Sequence, residues 1–288
     1  MRITSFYQRM ETRALLKDAA KYLHQYGVAF SEREAASILM DLLGLSSYSQ
    51  LSDVPYVSEK IIEAYQKRLK LRGEKRCPTA YLHGSVSFLG LSLNIDSRVL
   101  IPRMETELLA ERVITYISSH PEIQVVYDVC CGSGCIGLAI KNACPQVQVV
   151  LSDISPKAVA VAKENARNTR LDVEVYLGDL FEPYSSPGDA FVCNPPYLSY
   201  KEVIRTDPEV HCHEPWQALV GGATGVEFYK RIAQELPKVL RPSGVGGLEI
   251  GYTLGSQVKD IFLRQGISGE IQQDFAGWDR FFFLEMDF

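Results

Sequence analysis

The order of apolar runs along the 288 residues predicts an α/β fold, a mostly parallel sheet with helices on both faces, preceded by a small helical domain and a β-hairpin linker. Three observations carry this. Apolar side chains recur at three- and four-residue spacing over 11–25, 31–44 and 58–72; short β-prone runs gather around 81–100; and from 125 onward strand-like runs alternate with helical ones. Alternation of that kind implies parallel strands, because each parallel pair needs a long return connection that a helix supplies. A chain of this length exceeds the roughly 100–200 residues at which a single core usually closes, so two domains are expected. The boundaries read as 1–80 for the helical domain, 81–102 for the linker and 103–288 for the sheet domain.

In the helical part, Ala35, Ile38, Leu39, Leu42 and Leu43 form one stripe after Ser31, which reads as an N-cap with Glu34 three residues on. The runs VSFLG and LSLNI, separated near Gly90, read as a hairpin. Then come VVYDV, a glycine-containing turn, a helix from Cys135, VQVVL, a helix after Pro156, VEVYL, DAFVC, and a helix before GVGGLEI. IQQDF and FFFLEM close the chain with two strands suited to an antiparallel edge.

Composition narrows the class. The N-terminus MRITSFYQRMETRALLKDAAKYL carries charges every few residues, and nothing later reaches the ~18 apolar residues of a membrane span. A cytoplasmic chain with no membrane partner is expected. Seven cysteines (Cys77, Cys130, Cys131, Cys135, Cys144, Cys193, Cys212) without a secretion signal read as free thiols. Neither the cluster Cys130, Cys131, Cys135 nor His211-Cys212-His213 has the paired spacing of structural zinc, so no metal is expected. Residues 1–85 hold 13 Lys and Arg against 9 Asp and Glu, the remainder 17 against 26. The basic run Lys67, Arg68, Lys70, Arg72, Lys75 and Arg76 suits either an RNA-bound partner or a solvated helix face. An acidic second domain is a poor grip on duplex DNA.

Ligands of open α/β sheets sit beyond the carboxyl ends of the strands. The first such end carries Asp128-Val129-Cys130-Cys131-Gly132-Ser133-Gly134, where glycines admit a ligand close to the backbone and the next helix points its N-terminus at it. Asp153, 25 residues beyond Asp128, stands where an acid accepts the hydroxyls of a cofactor ribose. Gly178-Asp179-Leu180 ends the third strand, placed to border an adenine. A nicotinamide enzyme would share the first two marks, but the fourth strand ends in Asn194-Pro195-Pro196-Tyr197.

That tetrapeptide belongs to a wider set: Ile101-Pro102-Arg103-Met104-Glu105-Thr106-Glu107, Asp153-Ile154-Ser155-Pro156 with Glu164-Asn165-Ala166, Glu214-Pro215-Trp216-Gln217-Ala218-Leu219 with Gly221-Gly222, and Glu249-Ile250-Gly251. Over about 80–288 the chain resembles the release factor glutamine methyltransferases, the family of amino methyltransferases with an NPPY motif. Cys130 stands where the family usually has Gly, and Met104 where it has Pro. The resemblance implies a Rossmann-like class I methyltransferase sheet and S-adenosyl-L-methionine as cofactor, held by Cys130, Cys131, Gly132, Ser133, Gly134, Asp153, Ile154, Asp179, Leu180 and Asn194. It further implies a monomer whose partners are class I peptide chain release factors, methylated at N5 of the glutamine in their Gly-Gly-Gln tip.

The chemistry of the tetrapeptide agrees with that. An amide nitrogen is a poor nucleophile because its lone pair is delocalised into the carbonyl. The side-chain carbonyl of Asn194 and the backbone carbonyl of Pro195 suit the two hydrogens of one planar –NH2 group, Pro195 and Pro196 stiffen the loop, and Tyr197 offers a flat face to the amide. Asn194, Pro195 and Tyr197 are the expected catalytic residues, and all four are expected to bind substrate. The same acceptor pair suits the exocyclic amine of adenine, so N6-adenine methylation of nucleic acid stays open, as do glutamine methylation of a ribosomal protein and a non-enzymatic assembly role. Cys130 borders the cofactor loop and Cys193 precedes Asn194, so alkylation of either is expected to inhibit.

Overall fold

The computed structural model describes residues 10–285. The charged stretch at 1–9 and Met286 of the last strand lie outside them. The chain divides into two compact units, Met1–Gly84 and Ser85–Phe288.

The first unit packs α1 (Thr12–Gln25), α2 (Ser31–Leu43), α3 (Tyr48–Ser52), α4 (Glu59–Glu74) and α5 (Thr79–His83), with a short pair of β1 (Met10–Glu11) and β2 (Tyr56–Val57). Its core is the apolar stripe read from the sequence, Ala35, Ile38 and Leu39 meeting Leu15, Leu23, Tyr65 and Leu69. Buried Tyr65 satisfies its hydroxyl by donating to the Ala35 carbonyl at 2.8 Å. The expected capping box at Ser31 is not formed: Phe30, in the left-handed region at φ 50°, is the N-cap, and Ser31 is already helical. Glu34 instead accepts from Arg72 at 2.8 Å and from the Thr79 hydroxyl. That buries Arg72, while Arg68 pairs with Asp41 and Arg76 donates to the Tyr26 carbonyl. Lys70 also pairs with Glu74 at 3.9 Å, so most of the basic run is engaged within the unit.

The second unit opens on the hairpin β3 (Ser85–Phe88) and β4 (Leu91–Asn94), whose Phe88 and Leu93 lie in this unit's core. After α6 (Met104–Ser119) follow β5 (Val125–Val129), α7 (Cys135–Ala143), β6 (Gln148–Asp153), α8 (Pro156–Thr169), β7 (Glu174–Leu177) and β8 (Gly188–Cys193). A connecting region holds β9 (Leu198–Ser199), α9 (Tyr200–Val203), α10 (Pro208–His211) and β10 (Val220–Gly222). The unit ends with α11 (Glu227–Glu235), β11 (Leu240–Glu249), α12 (Gly255–Leu263), β12 (Ser268–Gln273) and β13 (Asp279–Glu285).

Seven strands form one sheet in the order β12-β13-β11-β8-β5-β6-β7. The five from β11 to β7 are parallel, and β13 runs antiparallel between β11 and β12. The anticipated antiparallel edge is there, with the last strand inserted inside it. Apolar cores cover both faces, which is why β5, β6 and β8 read as nearly unbroken apolar runs. The helix α8 starts as its sequence demands: Pro156 sits in its first turn and the Ser155 hydroxyl accepts the Ala158 N–H at 3.3 Å. Chain order reverses between β5 and β8, since β6 and β7 are added on one side and β8 on the other, so the carboxyl ends of β5 and β8 open onto a crevice.

Candidate active site

A cavity of about 340 Å3 occupies that crevice. Roomier hollows of about 670 Å3 and 910 Å3 lie elsewhere, one beside Arg112 and Lys259 and the other along α1, and neither gathers the marked strand ends. The first wall of the small cavity is the turn after β5. Cys130 takes the left-handed conformation at φ 59°, as do Gly132 and Gly134 at 54° and 80°. A cysteine at such a φ is strained, and the surrounding turn pays for it with bonds: the Cys131 N–H donates to the Ser152 carbonyl at 2.9 Å and the Gly132 N–H to Asp153 Oδ2 at 2.9 Å. Gly134 then serves as N-cap of α7, outside the cavity lining.

Asp153 ends β6 on the cavity wall. Each carboxylate oxygen takes one backbone N–H, Oδ2 from Gly132 and Oδ1 from Ser155 at 2.8 Å. Burial raises its pKa, while those two bonds hold it down. A carboxylate oxygen has room for a second donor, so an anionic acceptor aimed at a diol is present. Cys130, Cys131, Gly132, Ser133, Ile154 and Asn194 line the same cavity. This donor set fits S-adenosylmethionine: an acid for ribose hydroxyls, a backbone turn open to close approach, and apolar contact from Ile154. Beneath the turn, Asp128 is fully buried, with Oδ2 accepting the Gly137 N–H at 2.8 Å and Oδ1 without a partner. Burial pushes its carboxyl up to about 7.

The opposite wall is the tetrapeptide after β8. Asn194 and Pro196 line the cavity, whereas Pro195 between them is buried and not part of the lining. Tyr197 is set away from the lining, its hydroxyl donating to Glu249 Oε1 at 3.1 Å; burial raises its pKa. Asp179 also lies off the wall, paired with Arg231 at 2.9 Å, and Leu180 is buried in the second core. Asn194 Nδ2 donates to Thr106 Oγ1 at 3.3 Å, and the Thr106 hydroxyl donates to Glu249 Oε2 at 2.7 Å.

Sequence reasoning did not assign the walls contributed by Arg98, Val99, Leu100, Pro102 and Thr106; Pro215 to Ala218, in the loop that the resemblance sets near the substrate, line the cavity as well. Pro102, Thr106 and Pro215 to Ala218 belong to motif blocks, yet nothing in their spacing shows what they touch. Glu214, almost wholly buried, joins the two loops: Oε1 pairs with Arg103 Nη2 at 2.5 Å and Oε2 accepts the Ile101 N–H at 3.2 Å. Asn165, also buried, takes the Asn94 N–H at 2.7 Å and donates to the carbonyls of Asn94 and Ser133 at 3.0 and 2.9 Å, tying the hairpin to the glycine turn. Gly221 lets β10 pass over the tetrapeptide, since a Cβ there would meet the Pro196 carbonyl oxygen at 2.3 Å.

Three buried cysteines beside the site are poor nucleophiles. Burial lifts the thiols of Cys131 and Cys193 well above their ordinary value and that of Cys135 to about 12. Cys193 is fully buried, so the alkylation expected there has no access, while Cys130 is only half-buried and lines the cavity. Among the described residues no group of three or more His, Cys, Asp or Glu could hold a metal ion. No described helix is long and apolar enough to cross a membrane.

The methyltransferase small domain family matches residues 96–209. The chain is 56% identical over 271 residues to a release factor glutamine methyltransferase of Chlamydia trachomatis, covering 94% of this chain and 93% of that one. It is 38% identical over 230 residues to the enzyme of the same name from Clostridium acetobutylicum, covering 78% and 80%. A crystal structure of a methyltransferase from Pyrococcus furiosus shares the fold at 14% identity, with a TM-score of 0.51 over 69% of this chain and 90% of that one.

Proposed function

Because the chain belongs to the release factor glutamine methyltransferase family, we propose that it transfers a methyl group from S-adenosylmethionine to N5 of the glutamine in the Gly-Gly-Gln tip of class I release factors. The carrying observation is the position of Asn194 on the same cavity as Asp153, so that a polar acceptor stands across from the cofactor-binding acid. When bound, the cofactor supplies an electrophilic methyl on sulfur.

The protein's own residues then have two tasks, orientation and proton control. Asp153 anchors the ribose, and the turn at Cys130 to Ser133 presents backbone to the remainder of the cofactor. We assign Asn194 Oδ1 and the backbone carbonyl of Pro195, which lies between the two lining residues Asn194 and Pro196, to accept one hydrogen each of the substrate amide. Those two bonds fix the rotation of the –NH2 group and favour electron density on nitrogen as it attacks. The prolines keep both acceptors in place, which spares a reorganisation cost at the moment of reaction. The amide proton leaves to water as positive charge builds on nitrogen, so no thiolate or metal is called on. Tyr197 acts from behind, through its bond to Glu249. We place the reaction in the cytoplasm, where translation ends.

A glycine-rich tip is extended and exposed, able to enter a narrow crevice, but offers few side chains to hold. The helical unit is the surface assigned to the rest of the release factor.

The test is Asn194→Ala with labelled cofactor and intact release factor. Cofactor affinity should stay within about 1 kcal/mol while turnover falls roughly 100-fold or more, as for a group that acts mainly in the transition state. Label appearing in an adenine-containing oligonucleotide or a ribosomal protein, with the release factor unlabelled, would refute the substrate assignment.

A further inference from the structure

Resting on that reading, we propose that Thr106 and Glu249 are positioning residues that decide which end of the Asn194 amide faces the substrate. An asparagine carries a carbonyl and an –NH2 of almost equal shape, and a half-turn about the last side-chain bond exchanges an acceptor for a donor. Accepting a substrate hydrogen requires the carbonyl to face the cavity. Shape alone does not enforce that choice, so something must read the difference between oxygen and nitrogen.

The hydrogen-bond chain behind Asn194 does so. Its far end is Glu249, whose two oxygens each accept a hydroxyl proton: Oε1 from Tyr197 at 3.1 Å and Oε2 from Thr106 at 2.7 Å. A hydroxyl has one proton to give. With that proton spent on Glu249, Thr106 turns only lone pairs toward Asn194, and Asn194 must answer with an N–H, as its Nδ2 does at 3.3 Å. Oδ1 is then left for the cavity. The reversed amide would set two oxygens against each other with no proton between them.

Burial makes the constraint binding. Glu249 is 1% exposed and off the cavity lining, and Thr106, though it borders the cavity, is only 2% exposed, so water has little access to supply a missing proton. Glu249 is held from several sides: burial pushes its carboxyl up, the bonds from Thr106 and Tyr197 and the charge of Arg280 hold it down, and Glu105 opposes them. The Tyr229 hydroxyl donates to the Glu249 backbone carbonyl at 3.0 Å and leaves the carboxylate to its two donors. Burial is the largest influence on that carboxyl and leaves it raised on balance; the relay takes Glu249 as the carboxylate, the form in which both oxygens accept, from Thr106 and Tyr197. Neither residue touches the reacting nitrogen; they act through Asn194.

Replacing Glu249 by glutamine gives the chain the opposite polarity at constant shape. Among the described residues the Tyr197 hydroxyl has Glu249 as its acceptor, so a glutamine –NH2 on that side would strand the tyrosine proton; the glutamine carbonyl therefore stays there and its –NH2 faces Thr106. Thr106 must now accept there and send its proton toward Asn194, which turns its carbonyl inward and shows –NH2 to the substrate. The donor that results repels the hydrogens it should hold.

The experiment uses the full chain with intact release factor, comparing wild type with Thr106→Val, Thr106→Ser and Glu249→Gln. Turnover is measured at saturating substrates, cofactor affinity by calorimetry, and folding by thermal melting. Thr106→Val and Glu249→Gln should lower kcat by about tenfold or more while changing cofactor affinity less than about threefold, and Thr106→Ser, which keeps the hydroxyl, should return to within about threefold of wild type. A Glu249→Gln enzyme as fast as wild type overturns the relay even if Thr106→Val fails to fold. So does a serine variant as slow as the valine variant, or a loss confined to binding. Wild type that leaves the release factor unmethylated removes the reading on which the relay rests, whereas active wild type with equally active Thr106→Val refutes the relay alone.

Discussion

Replacing Asp128 by asparagine should stabilise the second unit, and more at pH 8 than at pH 5. The carboxyl is fully buried, its Oδ1 has no partner, and burial raises its pKa from 3.8 to about 7. Between those two values the unfolded chain has lost the proton that the folded chain keeps. The folded state therefore binds more protons, and wild-type stability falls as pH rises through this window, levelling off above about 7. Three pH units at about 1.4 kcal/mol each set the full penalty near 4 kcal/mol, of which about 2–3 kcal/mol falls between pH 5 and pH 8. Asparagine does not titrate, and its side-chain oxygen can still accept the Gly137 N–H that Asp128 accepts at 2.8 Å. Both tryptophans, Trp216 and Trp278, lie in the second unit, so urea unfolding of the cofactor-free protein followed by tryptophan fluorescence reads that unit. The gain of the variant over wild type should grow by 2–3 kcal/mol from pH 5 to pH 8, by the same linkage. A difference that is the same at both pH values, or that shrinks as pH rises, would refute the claim that a buried, poorly solvated carboxyl lies under the turn.

Asp153→Ala should weaken S-adenosylmethionine binding by about 1.5–3 kcal/mol, the scale of hydrogen bonds to a charged group; unchanged affinity by calorimetry would remove Asp153 from the site. Glu214→Ala should cost about 2–3 kcal/mol in urea unfolding, because it releases both Arg103 and the Ile101 N–H, and the Ile101 amide should exchange its hydrogen faster. Full protection of that amide would show that the two loops hold without Glu214. Alkylation under native conditions should label Cys130 and spare Cys193, and cofactor binding should fall in step with Cys130 labelling, followed by mass spectrometry. Removing residues 1–84 should raise the Michaelis constant for intact release factor far more than for a Gly-Gly-Gln peptide; equal effects on both would remove the helical unit from substrate recognition.

What the linear order of residues determined was the set of elements and the strand ends that carry chemistry. Periodicity located α1, α2 and α4 because an amphipathic helix must repeat its apolar face every 3.6 residues, and the alternation after 125 implied the parallel sheet because helices must return each strand. That Asp153 and Asn194 share a cavity was legible because one ends a strand and the other follows one, and strand ends meet in one crevice whatever else the fold does. Local signals also misled. Ser31 and Glu34 have the spacing of a capping box, but a buried Arg72 from α4 claims Glu34, a contact 38 residues away in sequence that a four-residue window cannot hold. Likewise, Tyr197 follows Asn194 closely, yet it turns behind the wall because Glu249, 52 residues on, takes its hydroxyl. Tertiary structure alone decided that Thr106, Asn194, Tyr197 and Glu249 form one chain of hydrogen bonds, and that Glu214 joins loops 111 residues apart. The reason is physical: helix and strand patterns arise from neighbours along the chain, whereas a buried polar group takes whichever partner the packing of distant elements brings to it, since leaving it unpaired costs more than the bond is worth in water.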